Sequence, residues 1–445
     1  MRLDDDVPVG LTPSNVQVEP VITSDMKEVS MLARLGRSMR RRLLVVAVAA
    51  LTATAWSPGS WQTAVAGDGR PGGTVLAWGV NGNGQLGDGT TVDRSTPVPV
   101  CASGQASPCS SFLRGVHGTA AGTTHSLAFG KDGTVLAWGD NRFGELGNGT
   151  TSVTPQTTPV PVCAPGQTAP CSRFLTDVRA VAGGSDFSLA LRNDGSVLAW
   201  GFNGDGELGD GTTTTPRTTP VQVCAPGQTA PCTRFLTDVV AIAAGFDFSV
   251  ALRKDGTVFA WGDNFVGELG NGTTSVTPQT TPVQVCAPGQ TAPCSRFLTD
   301  VRAIATGDQA SHSLALRKDG TVLAWGANGN GQLGDGTTAT PRTTPVRVCA
   351  PGQTAPCTRF LHGVRDIAAN GLSGAHSLAL HEDGTVLAWG ANGQGEVGDG
   401  TTTTPRTTPV RVCAPGQTAP CTRFLHDVRA ITAGGDHSLV IVQPR

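Results

Sequence analysis

From Gly73 onward the chain alternates short apolar runs with clusters of glycine, asparagine and aspartate, and the alternation recurs. Each unit reads V-x-A-I-x-A-G, a run such as Ser313-Leu314-Ala315-Leu316, an Asp-Gly pair, T-V-L-A-W-G, a glycine-rich segment and T-P-V-x-V. Short apolar runs bounded by turn residues predict strands. Asp-Gly between two such runs predicts a hairpin, because the tight turn needs positive φ angles that these residues tolerate. It occurs at Asp132-Gly133, Asp194-Gly195, Asp255-Gly256, Asp319-Gly320 and Asp383-Gly384. The runs do not strictly alternate apolar and polar positions, which predicts burial on both faces.

Trp-Gly pairs beginning at Trp78, Trp138, Trp200, Trp261, Trp325 and Trp389 set a period of about 60 to 64 residues. A period this long, with several strands per unit, predicts a stacked or circular repeat. Sheets standing as blades around a ring bury such strands on both sides, so the expected fold is an all-β, six-bladed β-propeller over residues 73–445. The first unit opens at Thr74-Val75-Leu76-Ala77-Trp78 without a preceding hairpin partner, and the last ends at Ser438-Leu439-Val440-Ile441-Val442 without a following one. Pairing the N-terminal strand with the C-terminal strand would complete a blade and leave no open edge.

The start of the chain is different. Residues 1–42 are polar and basic, with Arg34, Arg37, Arg40, Arg41 and Arg42 leading into an apolar run from Leu43 to Ala55. Small residues follow, ending in Ala64-Val65-Ala66. Positive flank, short apolar stretch and an A-x-A site are the order of an export signal over residues 43–66, and the run is shorter than the roughly 20 residues that span a bilayer. The expected location is therefore secreted or cell envelope, with no stable membrane insertion unless the signal is retained as an anchor.

Composition narrows the partners. Lys and Arg number 32 against 34 Asp and Glu, so there is no basic excess of the kind a nucleic-acid binder carries. Glycine, at 59 of 445 residues, is about twice its average usage but does not recur every third residue, which excludes collagen. The twelve cysteines fall in six C-x7-C pairs: Cys101 and Cys109, Cys163 and Cys171, Cys224 and Cys232, Cys286 and Cys294, Cys349 and Cys357, Cys413 and Cys421. One pair per repeat behind an export signal predicts one local disulfide per blade, each worth on the order of 2 to 3 kcal/mol in the chain-entropy model.

The hairpin H-S-L-A-L, D-G, V-x-x-W-G, followed by N and G-Q-L-G, is plainest at Asn328-Gly329-Asn330-Gly331-Gln332-Leu333-Gly334. It resembles the regulator of chromosome condensation repeat, over residues from about Gly73 to Val442. The resemblance implies a β-propeller, usually of seven blades, so seven stands as the alternative to six. It is similar to a family whose namesake is a nuclear nucleotide-exchange factor, and which includes secreted bacterial inhibitors and a plant ultraviolet-B receptor; this chain looks like a secreted, bacterial-type member.

The chemistry of single positions is repetitive. His125, His312, His376 and His437 share a position that holds Phe187 or Phe248 in two other units, and phenylalanine neither ligates nor transfers protons, so a packed ring is expected there. The acidic segment from Asn203 to Gly211 looks like a calcium loop, but Glu207 is replaced by Gln85 or Gln332 and Asp210 by Asn148 or Asn271, which fits turn chemistry better. No catalytic set, cofactor or metal is expected. Function is sought where units differ: units two to four carry Asp140, Arg142, Phe143, Phe202, Asp205, Asp263, Phe265 and Val266 where the others carry mainly small or amide residues. Aromatic and arginine side chains of this kind are enriched in protein-binding hot spots. The expected function is an exported, non-enzymatic scaffold that binds a protein, with inhibition as one form; a nucleotide-exchange factor and a carbohydrate-binding or cell-surface module are the alternatives.

Non-reducing peptide mapping should link each cysteine to its partner in the same C-x7-C pair. A peptide linking cysteines of different repeats would contradict the local-staple reading.

Overall fold

The computed structural model describes residues 72–443 apart from positions 215, 308, 340, 372, 373 and 404. The polar and basic segment 1–42 and the export signal read over residues 43–66 lie outside the described residues. Within these limits the chain forms strands and no helix.

The first pair is β1 (Leu76–Gly79) and β2 (Arg94–Pro99). Blade two is β3 (Val116–Ala121), β4 (His125–Gly130), β5 (Val135–Asn141) and β6 (Ser152–Pro161). Blade three is β7 (Val178–Gly183), β8 (Phe187–Arg192), β9 (Val197–Gly201) and β10 (Arg217–Gln222). Blade four is β11 (Val239–Ala244), β12 (Phe248–Arg253), β13 (Val258–Asn264) and β14 (Ser275–Gln284). Blade five is β15 (Val301–Ala305), β16 (His312–Arg317), β17 (Val322–Gly326) and β18 (Arg342–Arg347). Blade six is β19 (Val364–Asn370), β20 (His376–His381), β21 (Val386–Gly390) and β22 (Arg406–Arg411), and the last pair is β23 (Val428–Ala433) with β24 (Ser438–Val442). Blades two to six are four-stranded antiparallel sheets whose strands neighbour one another in chain order.

Local chemistry sets the hairpins. In blade three, Asp194 Oδ1 accepts hydrogen bonds from the Ser196 amide and hydroxyl, while Gly195 takes φ 80°. The turn fixes the register, with Phe187 opposite Gly201, Leu189 opposite Ala199 and Leu191 opposite Val197. Strand β9 is buried at every residue, as its unalternating pattern requires. The outer strands carry the T-P-V proline, which suits an edge because proline offers no ladder donor.

The apolar core is a series of seams. One cluster joins Phe187, Leu189, Leu191 and Val197 of blade three to Ile242, Ala251 and Trp261 of blade four. Another joins Leu314 and Leu316 of blade five to Ile367, Ala379 and Trp389 of blade six. Each seam is stitched by one carbonyl. Trp200 Nε1 and Ser188 Oγ both donate to the Glu145 carbonyl of the preceding blade, at 2.8 and 2.9 Å. The same two donors recur as Trp138 and Ser126 on Gln85, Trp261 and Ser249 on Glu207, and Trp389 and Ser377 on Gln332. A glycine makes room for the indole: a Cβ on Gly209, at φ 67°, would lie 2.7 Å from Trp261 Nε1.

The ends depart from the expected closure. Strand β1 pairs with β2 and β24 with β23, and no β24–β1 ladder is formed among the described residues. The Glu396 carbonyl accepts Ser438 Oγ at 2.9 Å, but Trp78, which the repeat would bring to it, is 59% exposed. Gly398 meets only Val412 where its equivalents meet a tryptophan, and a groove runs along Gly395, Gly398 and Thr401. Among the described residues the six units thus form five four-stranded blades and two two-stranded half-blades.

Hydrogen exchange reads this directly. Amides of β1 and β24 should exchange at least about tenfold faster than those of β8, β12 and β16, because open edges exchange by small local openings. Equal protection would mean that the two half-blades are paired in solution.

Candidate functional site

The unequal loops leave the third strand of each blade and are held by a recurring asparagine. In blade three, Asn203 Oδ1 accepts the Leu208 amide at 3.1 Å, and its Nδ2 donates to Asp210 Oδ1 at 3.2 Å and the Thr212 carbonyl at 3.0 Å. Asp210 Oδ1 also accepts the Thr212 amide and hydroxyl, and Oδ2 takes Arg217 Nε at 2.8 Å. Asp210 is therefore spent on turn and cap bonds, as the Asp/Asn exchange at its position predicts.

The eight unequal residues do not all face solvent. Phe143 and Phe202, from adjacent blades, meet edge to face with ring centroids 5.1 Å apart. Phe143 is 37% exposed, Phe202 is half-buried and Phe265 is 65% exposed. Arg142 is exposed and its Nε lies 3.5 Å from Asp140 Oδ2. Asp140 corrects the expectation of an exposed charge: it is buried, and its Oδ1 accepts the Asn141 amide at 2.9 Å. Asp205, Asp263 and Val266 are half-buried. The Val266 amide donates to Glu268 Oε2 at 2.8 Å, so this valine positions backbone as much as it offers surface.

Beneath these loops lies a set of carboxylates that pattern reading passed over. Glu145, Glu207 and Glu268 are buried, and one oxygen of each accepts the amide two residues earlier, from Phe143, Asp205 and Val266. The other oxygen of Glu145 and of Glu207 is buried and accepts no hydrogen bond. Asp186 and Asp247, each at the entry to the next blade's second strand, bring further negative charge against them. Burial, then the neighbouring carboxylates, pushes Glu207 up to about 8 and Asp247 up to about 7. Burial likewise raises Glu145 and Glu268 to about 7, and Asp186 and Asp263 above the usual carboxylate range. The signal existed in the sequence: the position of Asp186 and Asp247 is again acidic at Asp436 but holds Thr124, Ser311 or Ala375 in the other units.

The histidines behave as packing groups. His125 and His312 are fully buried and bond Ser188 and Ser377 of the next blade through Nε2, at 2.9 and 3.0 Å. Burial lowers their pKa to about 4 and about 3, which keeps them neutral. Phe187 and Phe248 fill the same position with a ring.

The raised carboxylates give stability a sign with pH. Glu207 titrates from an ordinary 4.5 to about 8 in the folded chain, so the folded state holds a proton that the unfolded chain has released across that window. Stability therefore falls as pH rises from about 4.5 to 8. In metal-free buffer Glu207→Gln should raise Tm at pH 8 by about 2 °C or more, and the difference should vanish near pH 4. A lower Tm at pH 8 with native circular dichroism would contradict the assignment.

Comparisons with known proteins place this geometry. The chain is 27% identical over 330 residues to the ultraviolet-B receptor UVR8 of Arabidopsis thaliana, covering 73% of this chain and 62% of the receptor. It is 30% identical over 328 residues to a secretion-regulating guanine nucleotide exchange factor of Mus musculus, covering 73% and 61%. A probable E3 ubiquitin-protein ligase of Homo sapiens, HERC6, matches at 30% over 281 residues, covering 63% of this chain and 24% of the ligase. The chain thus spans under two thirds of each of these relatives. Among solved structures, yeast RCC1 superposes with a TM-score of 0.60 at 22% identity over 88% of this chain and 82% of that one. Human WBSCR16 gives 0.50 at 20% over 83% and 100%. The model of the regulator of chromosome condensation (RCC1) repeat matches residues 72–129, 132–191, 194–252, 255–316, 319–369 and 383–441, and the chain belongs to the RCC1 repeat family of β-propellers.

Proposed function

We propose that this chain is an exported, non-enzymatic propeller that binds another protein through the loops of blades two to four. The observation that carries the reading is the Phe143 and Phe202 pair, two aromatic rings in contact across adjacent blades and partly exposed to solvent. The position of Phe143 holds Asn83, Asn330 and Gln394 in units one, five and six, and that of Phe202 holds Val80, Ala327 and Ala391. A partner that fits would offer an apolar side chain to the rings and basic groups to the carboxylates around them.

Export is supported by the residue order at positions 34–66 and by the six disulfides within single repeats, which suit an oxidising compartment. No helix among the described residues is long and apolar enough to cross a membrane. The relatives support a binding role in general: the yeast RCC1 structure is of that protein bound to Kap60. The carbohydrate or cell-surface alternative rests on a different feature, the exposed Phe112, Phe174, Phe235 and Phe297 that recur beside the stapled loops.

Affinity capture from culture fluid and cell envelope supplies the partner for a test. Changing Phe143, Phe202 and Phe265 together to Ala should weaken its binding by about 30-fold or more, the equivalent of roughly 2 kcal/mol. Unchanged affinity would exclude this face, and six equal glycan sites per chain would favour the repeated-module alternative.

A further inference from the structure

The loop of blade three and the entry to blade four meet at three carboxylates. Asp205, Glu207 and Asp247 each bring one oxygen to within 4.8 Å of the other two. Glu207 is fully buried, and its Oε1 accepts no hydrogen bond although Oε2 takes the Asp205 amide. The charges acting on Glu207 are those of Asp247 and Asp205, and those acting on Asp247 are Asp205, Asp263 and Asp186. All are carboxylates. A buried carboxylate oxygen without a donor, surrounded by like charge, is costly unless a cation or a proton accompanies it.

We propose that Asp205, Glu207 and Asp247 form a divalent-cation site that takes Ca²⁺. An all-oxygen, all-carboxylate set selects a hard cation over zinc or copper, which favour imidazole and thiolate. Two oxygens each about 2.4 Å from one Ca²⁺ are never more than about 4.8 Å apart, and these three oxygens lie within that limit of one another. The larger ion also accepts an irregular ligand set completed by water, whereas Mg²⁺ demands a near-ideal octahedron. Two of the ligands come from the glycine-rich segment of blade three, but the third comes from the next blade. Inspection of one loop alone therefore favours turn chemistry, and Asp210, the acid that looked most like a loop ligand, is committed to Thr212 and Arg217. The ion would tie the Asp205 loop to blade four beside Phe202. The site does not rest on the protein-binding reading, and its test needs no partner.

Tb³⁺ substitutes for Ca²⁺ and luminesces when a tryptophan lies nearby. Trp261 Nε1 donates to the Glu207 carbonyl at 2.8 Å, so the indole is already beside the site. Titration of the full chain with Tb³⁺ should give sensitised emission that saturates at one ion per chain. Ca²⁺ should displace it at lower concentration than Mg²⁺. Glu207→Gln and, separately, Asp247→Asn should each weaken Tb³⁺ binding by at least about tenfold. Glu382→Gln, an exposed acid in the hairpin turn of blade six, should leave the titration unchanged. Circular dichroism checks that each variant is folded, and the two ligand variants lie in different blades, so the failure of one to fold leaves the other to decide. Absence of saturable emission, emission undiminished in a folded ligand variant, or displacement by Mg²⁺ before Ca²⁺ would overturn the proposal.

Discussion

Two donors converge on one carbonyl at four of the seams between the described blades. The indole of one blade and a serine hydroxyl beside it meet a backbone oxygen in the glycine-rich loop of the blade before, as Trp261 and Ser249 do on Glu207. A buried indole without an acceptor would carry a desolvation cost, and a bare carbonyl would carry another; pairing them satisfies both while the ring fills the seam. The arrangement requires a glycine beneath the ring and an asparagine to hold the loop, which is why Trp-Gly, N and G-x-L-G recur together. Blade five varies the scheme: Trp325 bonds the Glu268 carbonyl, whereas the Ser313 hydroxyl finds no partner.

This stitch also explains where chemistry can arise. The carbonyl that accepts the indole belongs to the residue whose side chain is Gln85 or Gln332 in some units and Glu145, Glu207 or Glu268 in others. Burial of that residue is a consequence of the seam. A neutral amide tolerates the position; a carboxylate there is forced against whatever the next blade supplies at the entry to its second strand. Where that neighbour is Ser311, only Asp247 and Asp263 act on Glu268 from a distance. Where it is Asp186 or Asp247, two acids face each other in a place of low polarity; Asp436, at the same position in the last unit, is exposed.

Much of the fold was legible because the repeat is internally consistent. The Asp-Gly turns, the strand order and the disulfide pairs are each set by residues within a few positions of one another. The ends were less legible: closure depends on how Trp78 and Glu396 approach across the whole ring, and local pattern carries no such information. The site was half legible. Differences among units pointed to Phe143, Phe202 and Asp205, but Asp140 proved buried, held by the Asn141 amide and covered by Arg142. Glu207 and Asp247 escaped notice since their conjunction spans two blades, and only the seam brings positions so far apart in sequence into contact.

The repeated blades serve as scaffold, and recognition is confined to the loops of blades two to four. Hydrogen exchange of the propeller with and without a captured partner measures this most directly. Added protection is expected in the loops holding Phe143, Phe202 and Phe265, with the equivalent loops of units one, five and six unchanged. Protection spread evenly around the blades, or confined to the stapled loops, would contradict it.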